Sequence, residues 1–206
     1  MLNNLAIQYG TDKSSITHNY TKMYEQFMNQ DRLEVLKVLE IGLGNGASAR
    51  MWKDYFPNAT IYVIENFGDE NKNIWNGTTI HEDRIIIING SQDDSNTWNK
   101  VPYNLDFVID DGSHIPEHQI TSVNLGFEKL KSGGVWFIED THCNFHRNYS
   151  DKDKLYPWLY GLIVQQQIPE ITTEGDFYKI RYILEGLNKD IFAFHLYKSI
   201  IALEKA

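Results

Sequence analysis

The chain of 206 residues has 28 acidic and 19 basic side chains, a formal net charge of −9 and one cysteine, Cys143. One domain of this size buries about 70% of the surface that its unfolded chain exposes. The negative charge argues against binding to nucleic acids or anionic membranes, and a lone cysteine excludes an internal disulfide framework. No apolar run approaches the ~20 residues of a membrane span and the N-terminus lacks a signal-peptide pattern, so we expect a cytoplasmic location.

The first 30 residues differ in pattern from the rest of the chain. Residues 6–13 form a turn-rich stretch, and aromatic and apolar residues then recur at helical spacing between Tyr20 and Phe27. We therefore predict residues 1–30 as an N-terminal helical lid segment. Residues 31–206 form the main part of the chain, and the two together make a single structural domain.

From Lys37 onward, strand and helix signals alternate. Continuous apolar strands separated by helices indicate a parallel sheet covered on both faces. Near the C-terminus, two β-rich runs are joined by two residues, a connection so short that it requires an antiparallel pair. The predicted strands are 38–41, 60–64, 84–88, 105–109, 134–138, 191–196 and 199–203, and the predicted helices are 48–56, 115–130 and about 153–167, with 175–187 unassigned. This order predicts an α/β fold with a Rossmann-like, doubly wound, mostly parallel seven-stranded sheet whose last strand is antiparallel.

A glycine-rich loop at residues 40–46 follows the first predicted strand and precedes a helix. Glycines let the backbone turn sharply and approach a ligand closely. Gly42, Gly44 and Ala47 also fit the loose dinucleotide fingerprint, which leaves a nicotinamide cofactor open at this point. Glu65 ends the second strand, where an acid can accept hydrogen bonds from ribose hydroxyls. Ser91 and Gln92 follow the third strand in a polar turn suited to an adenine edge.

Two acidic pairs follow the fourth and fifth predicted strands. Asp110 and Asp111 end one run, Glu139 and Asp140 end the next, and His114 follows within the first loop. Ligands of open α/β sheets bind outside the carboxyl ends of the strands. Carboxylates there suit a hard cation such as Mg²⁺, and an imidazole beside it suits a general base. Each pair alone is also compatible with ordinary helix capping.

The glycine loop followed by Glu65 resembles the cofactor loop of class I S-adenosylmethionine-dependent methyltransferases. The acidic pairs and His114 resemble a narrower group: the Mg²⁺-dependent sugar O-methyltransferases of macrolide and related natural-product tailoring, with cephalosporin-biosynthesis relatives. This resemblance implies that Asp111, Glu139 and Asp140 bind Mg²⁺ or another divalent cation, and that His114 is the base. It also makes residues 31–206 an S-adenosylmethionine-binding domain.

The N-terminal motif from Tyr9 to Tyr20 resembles the segment of that group that covers the cofactor. Together the motif and the strand ends imply a set of S-adenosylmethionine contacts. These are Tyr9, Thr11, Tyr20, Glu40, Gly42, Gly44, Glu65, Ser91, Gln92 and Asp110. His142 is close enough to the second acidic pair to line the same pocket.

The function implied is methyl transfer from S-adenosylmethionine to a hydroxyl of a sugar or glycosylated small molecule. A catechol-type acceptor is an alternative, because an aromatic diol would chelate the same metal. Two further alternatives are a nicotinamide-dependent oxidoreductase and a non-enzymatic binding protein with the same fold. Macrolide-type members resembling this chain carry an extra N-terminal domain outside these 206 residues. The identity of the acceptor and the oligomeric state therefore stay open, and a homo-oligomer is one possibility. We expect neither nucleic acid nor membrane as a partner.

Overall fold

A seven-stranded sheet runs through the computed structural model, which describes residues 1–67, 82–149, 154–167 and 190–206. Its strands are β1 (Lys37–Ile41), β2 (Thr60–Glu65), β3 (Ile85–Asn89), β4 (Leu105–Asp110), β5 (Leu130–Ile138), β6 (Ile191–Tyr197) and β7 (Ile200–Lys205). They lie in the order β3-β2-β1-β4-β5-β7-β6. The first five pair in parallel, whereas β7 is antiparallel to both β5 and β6. The predicted fold class is confirmed.

The described helices are α1 (Leu2–Tyr9), α2 (Thr21–Met28), α3 (Ala47–Tyr55), α4 (Ser95–Trp98), α5 (Pro116–Gly126) and α6 (Leu155–Gln167), with short 3₁₀ turns at Phe127–Lys129 and Thr141–Phe145. Within the described residues, none is both long and apolar enough to cross a membrane. The helix predicted over 115–130 is too long, because Leu130 already pairs with Leu105 in the sheet. Residue 153, the predicted start of the helix over about 153–167, and the unassigned segment 175–187 lie outside the described residues.

The turn predicted over residues 6–13 is wrong in its first half, where the chain is still in α1. This helix ends at Gly10, whose φ of 71° is left-handed and whose N–H bonds the last turn. Eight residues form only a marginal helix alone, so its stability has to come from packing. Leu2 and Ala6 supply that packing, because both are fully buried in the core.

Two hydrophobic layers cover the two faces of the sheet. On one face, residues of α1, α2 and α3 pack with Phe137 of β5. On the other, Trp98, Val123 and Leu159 of α4, α5 and α6 pack with Trp136. The N-terminal segment is therefore built into the core of the first layer, while its role as a lid over a cofactor stays a prediction.

The register of the central strands brings the two acidic pairs together. Ile41 of β1 lies beside Asp110 of β4, and Asp110 lies beside Ile138 of β5. The backbone continues this pairing past the strand ends, because Glu139 N–H donates to the Asp110 carbonyl at 2.9 Å. Both acidic loops thus leave the same edge of the sheet, side by side.

Replacement of Leu2 by Ala should lower the free energy of unfolding by about 2–5 kcal/mol, the usual cost of truncating a buried leucine. Ile7→Ala in the same helix is the matched control, because Ile7 is 45% exposed, and it should change stability by no more than about 0.5 kcal/mol. Urea unfolding followed by circular dichroism measures both. Equal effects of the two changes would show that α1 is not part of the core.

Candidate active site

A cavity of about 610 Å³ opens at the carboxyl ends of the parallel strands, within the range of small-molecule sites. The loops after β1 to β5 and the N-terminal segment form its wall. The lining residues are 10–12, 41–45, 64–66, 90–92 and 111–114, together with Ala47, Ser48, His118 and Asp140. The cavity therefore joins the glycine loop to the acidic loops.

The glycine loop packs directly against the first acidic loop. Gly42 has a φ of +95°, and a Cβ there would lie 2.3 Å from the carbonyl oxygen of Asp111. Glu65 supports the loop from the end of β2, because its Oε2 accepts a hydrogen bond from Leu43 N–H at 2.6 Å. Only glycine at position 42 allows the loops that follow β1 and β4 to approach this closely.

A mostly buried amide, that of Gln92, forms part of the cavity wall. Gln92 Nε2 donates to Asp110 Oδ1 at 3.1 Å, and Gln92 Oε1 accepts from Ser113 N–H at 2.8 Å. Burial raises the pKa of Asp110 to about 7. Gln92 thus ties the loop after β3 to the first acidic loop and fixes the chain just before His114.

Within each acidic pair, the first residue points into the protein and the second reaches the cavity. Asp110 and Glu139 are buried behind the wall, whereas Asp111 and Asp140 line it. Asp140 adopts a left-handed φ of 52°, which is uncommon outside glycine and marks a strained turn. The four acids therefore meet at one edge of the sheet, as predicted, but two of them line the cavity and the other two lie in the protein interior behind it.

Lys13 is the buried counter-charge of this cluster. Its ammonium is fully buried, pairs with Asp111, and lies 2.9 Å from Glu139 Oε2 and 3.9 Å from Glu40 Oε1. Burial alone would lower the Lys13 pKa, but these carboxylates raise it well above its usual value. Burial in turn raises the pKa of Glu40 to about 7, and its Oε2 has no partner among the described residues.

Two tyrosines of the N-terminal segment bind the second acidic pair. Tyr20 OH donates to Asp140 Oδ1 at 2.7 Å, and Tyr24 OH donates to Glu139 Oε1. Burial, followed by the neighbouring carboxylates, raises the pKa of both phenols, so they stay protonated donors. The sequence predicts Tyr20 as a cofactor contact, whereas Tyr24 belongs only to the helical pattern and has no place in the predicted site.

His114 faces the cavity from a second left-handed turn, with a φ of 57°. Its Nε2 lies 3.9 Å from Asp140 Oδ2, and its Nδ1 is buried without a partner in the described structure. One ligand atom each from Asp111, His114 and Asp140 lie within 4.8 Å of one another. His118, which the sequence analysis missed, joins the wall and contacts Ser113 Oγ through Nδ1 at 3.0 Å.

The charges and donor atoms of this cluster fit a divalent cation. Among the described residues, the Lys13 ammonium faces the carboxyl groups of Asp111, Glu139 and Glu40. Burial nevertheless raises the pKa of Glu139 well above its usual value, so Lys13 alone does not keep this cluster fully charged. Carboxylate oxygens are the donors that Mg²⁺ and Mn²⁺ prefer, whereas an imidazole nitrogen suits softer metals. The three-residue cluster includes His114 in place of the predicted ligand Glu139.

The predicted cofactor contacts divide into two groups. Those that line the cavity are Thr11, Gly42, Gly44, Glu65, Ser91 and Gln92. Those placed outside its wall are Tyr9, Tyr20, Glu40 and Asp110, with Tyr9 OH donating to Asp54 and Glu40 accepting from Trp52 Nε1 at 3.2 Å. The roles assigned to all of them, and to His114 and the three metal acids, stay predictions.

Comparison with curated proteins finds relatives that share one chemistry. The chain is 34% identical over 149 residues to the 8-demethyl-8-(2-methoxy-alpha-L-rhamnosyl)-tetracenomycin-C 3'-O-methyltransferase of Streptomyces olivaceus, covering 68% of this chain and 36% of that protein. It is 30% identical over 224 residues to the demethylmacrocin O-methyltransferase of Streptomyces fradiae, covering 99% and 53%. The chain therefore spans about half the length, or less, of these relatives. No family model matches the sequence.

A solved structure matches over the same extent. It is the MycE methyltransferase of the mycinamycin biosynthetic pathway in complex with Mg, SAH and mycinamycin VI, with a TM-score of 0.77 and 28% identity. The match covers 99% of this chain and 54% of that one. Described helices and strands of the present chain thus have counterparts in a methyltransferase with both a metal and a cofactor product bound.

The contact between the two loops predicts the effect of Gly42→Ala. The new Cβ would meet Asp111 backbone while the residue holds a left-handed φ, so unfolding should become easier by about 2–5 kcal/mol. Gly133→Ala is the matched control: its φ is +72° and nothing lies within 4 Å, so only the conformational cost of about 1–2 kcal/mol applies. Similar losses in urea unfolding would contradict the close approach.

Proposed function

We propose that this chain is a metal-dependent O-methyltransferase. The premise is that it is a homologue of the sugar O-methyltransferases of macrolide and tetracenomycin tailoring and has their class I methyltransferase fold. It would move a methyl group from S-adenosylmethionine to a hydroxyl of a sugar or glycosylated small molecule. The observation that carries the proposal is the arrangement of Asp111, His114 and Asp140 within 4.8 Å on one wall of the cavity.

The cofactor would bind on the glycine-loop side of that cavity. The turn at Gly42 and Gly44 leaves backbone close to the ligand space, and Glu65 at the end of β2 can accept bonds from ribose hydroxyls. Ser91 and Gln92 face the same space from the end of β3. With this order of strand ends, the methyl donor would lie beside the acidic loops.

Asp111 and Asp140 would hold the divalent cation, which when bound lowers the pKa of a coordinated hydroxyl and orients it toward the methyl group. Glu139 stays in the proposed ligand set, because each of its oxygens accepts one hydrogen bond and retains a second lone pair. His114 would accept the proton of the acceptor hydroxyl. The Asp140 carboxylate, 3.9 Å from its Nε2, would stabilise the imidazolium formed.

The proposal extends to the surroundings of the reaction. A glycoside acceptor is supported by the relatives, whose names specify sugar hydroxyls of macrolides or tetracenomycins. Of the described aromatic residues beyond the second acidic loop, Phe145, Tyr149 and Tyr160 are exposed, whereas Trp158 packs on the core. Tyr149 is the one beside the proposed base, with its ring edge-on to that of His114 at 5.9 Å. A cytoplasmic location and a homo-oligomer complete the proposal, without nucleic acid or membrane partners.

The activity is tested with labelled S-adenosylmethionine and two panels of acceptors, glycosides and catechols, with Mg²⁺ and with EDTA. Methyl transfer to a glycoside that EDTA abolishes and Mg²⁺ restores is the expected result. Transfer to catechols alone would favour the aromatic-diol alternative. Calorimetric binding of NAD in preference to S-adenosylmethionine, or transfer at the full rate in EDTA, would contradict the proposal.

His114→Ala should lower kcat by about 10²–10⁴, the usual contribution of a general base, and should leave S-adenosylmethionine affinity unchanged. The matched control is His195→Ala, because His195 lies on β6 against Glu204, outside the cavity wall. That control should retain the wild-type rate. An unchanged kcat and pH–rate profile in the His114 variant would remove it from the mechanism.

A further inference from the structure

Each proposed metal-binding carboxylate has a partner in one short stretch, residues 13–24. Lys13 binds Asp111, Tyr20 binds Asp140 and Tyr24 binds Glu139. These contacts join positions 98, 120 and 115 residues apart in the chain. Three acids on two different loops are thus matched by three donors from a single segment.

The segment is rigidly placed. The side chains of Lys13 and Tyr24 are fully buried, and Tyr20 is 2% exposed. The ring of Tyr24 is wedged edge-on between Trp52 and Phe137, with ring centres 5.1 and 4.9 Å away. Donors fixed in this way hold a carboxylate in one rotamer, whereas a solvent-exposed donor would not.

Groups that orient metal ligands have a measurable effect on the metal. Partners of ligating residues are worth typically 10–100-fold in metal affinity, because they fix the orientation and the basicity of each ligand. If a segment makes such contacts, metal binding in turn stabilises the segment, since the coupling between two equilibria is reciprocal. The coupling can therefore be measured both as metal affinity and as the stability of the segment.

We propose that residues 13–24 form the supporting layer of the metal site, with Lys13, Tyr20 and Tyr24 as positioning residues that orient Asp111, Asp140 and Glu139. This inference rests on the proposed metal-dependent function. It gives the N-terminal segment a role beyond covering a cofactor: its folding onto the sheet and the binding of the cation are coupled.

The test measures Mg²⁺ affinity by titration calorimetry in Tyr20→Phe and Tyr24→Phe, each of which removes one hydroxyl. Each variant should bind Mg²⁺ about 10-fold or more weakly than the wild type. Tyr55→Phe is the matched control, because the buried Tyr55 hydroxyl has no partner among the described residues, and its Mg²⁺ affinity should be unchanged. Thermal melts of all three confirm that they are folded.

Hydrogen exchange on the wild type gives an independent measurement that needs no variant. Saturating Mg²⁺ should slow amide exchange in residues 13–24, while the edge strand β3 is unaffected. Wild-type affinity in both tyrosine variants, or no change in exchange while Mg²⁺ binds, would overturn this inference and leave the proposed function intact. A wild-type chain that binds no Mg²⁺ would overturn both.

Discussion

The burial of like charges at the end of β4 and β5 constrains the rest of this site. Asp111, Glu139 and Glu40 surround one ammonium, that of Lys13, which is fully buried. Carboxyl groups buried from water require partners, and burial raises the pKa of Glu40 to about 7 and that of Glu139 well above its usual value, although Lys13 lies beside both. The structure meets part of the requirement with tyrosine donors from the N-terminal segment. A divalent cation at the proposed site would add positive charge beside these carboxyl groups, and the segment that supplies the tyrosine donors packs into the core.

Topology determines which residues meet. Parallel pairing of β1, β4 and β5 brings the glycine loop and both acidic loops to one edge of the sheet. The contact of Gly42 with the Asp111 backbone then fixes the distance between the glycine loop and the first acidic loop. A methyl donor and a hydroxyl acceptor held by these two loops would meet in one cavity, which is the geometric requirement of direct transfer.

Strand patterning was sufficient to predict the sheet and the shared edge of the acidic pairs, because apolar runs of this length have few alternatives. It could not assign Asp111 and Asp140 to the cavity and Glu139 to the interior. That division depends on local backbone, including the left-handed turn at Asp140, for which a non-glycine residue carries no signal. Lys13 was also missed as a partner, since its contacts with Asp111 and Glu139 span 98 and 126 residues. The short helix α1 was missed because tertiary packing stabilises it.

In the proposed mechanism, the acidic loops hold a divalent cation beside the cofactor. Anomalous diffraction from crystals grown with Mn²⁺ and S-adenosylhomocysteine tests it most directly, since Mn²⁺ substitutes for Mg²⁺ at oxygen-rich sites. The expected result is one strong peak at the cavity wall, in contact with Asp111 and Asp140, and cofactor bound along the glycine loop. Ordered cofactor with no peak at these carboxylates, in the presence of excess Mn²⁺, would contradict it.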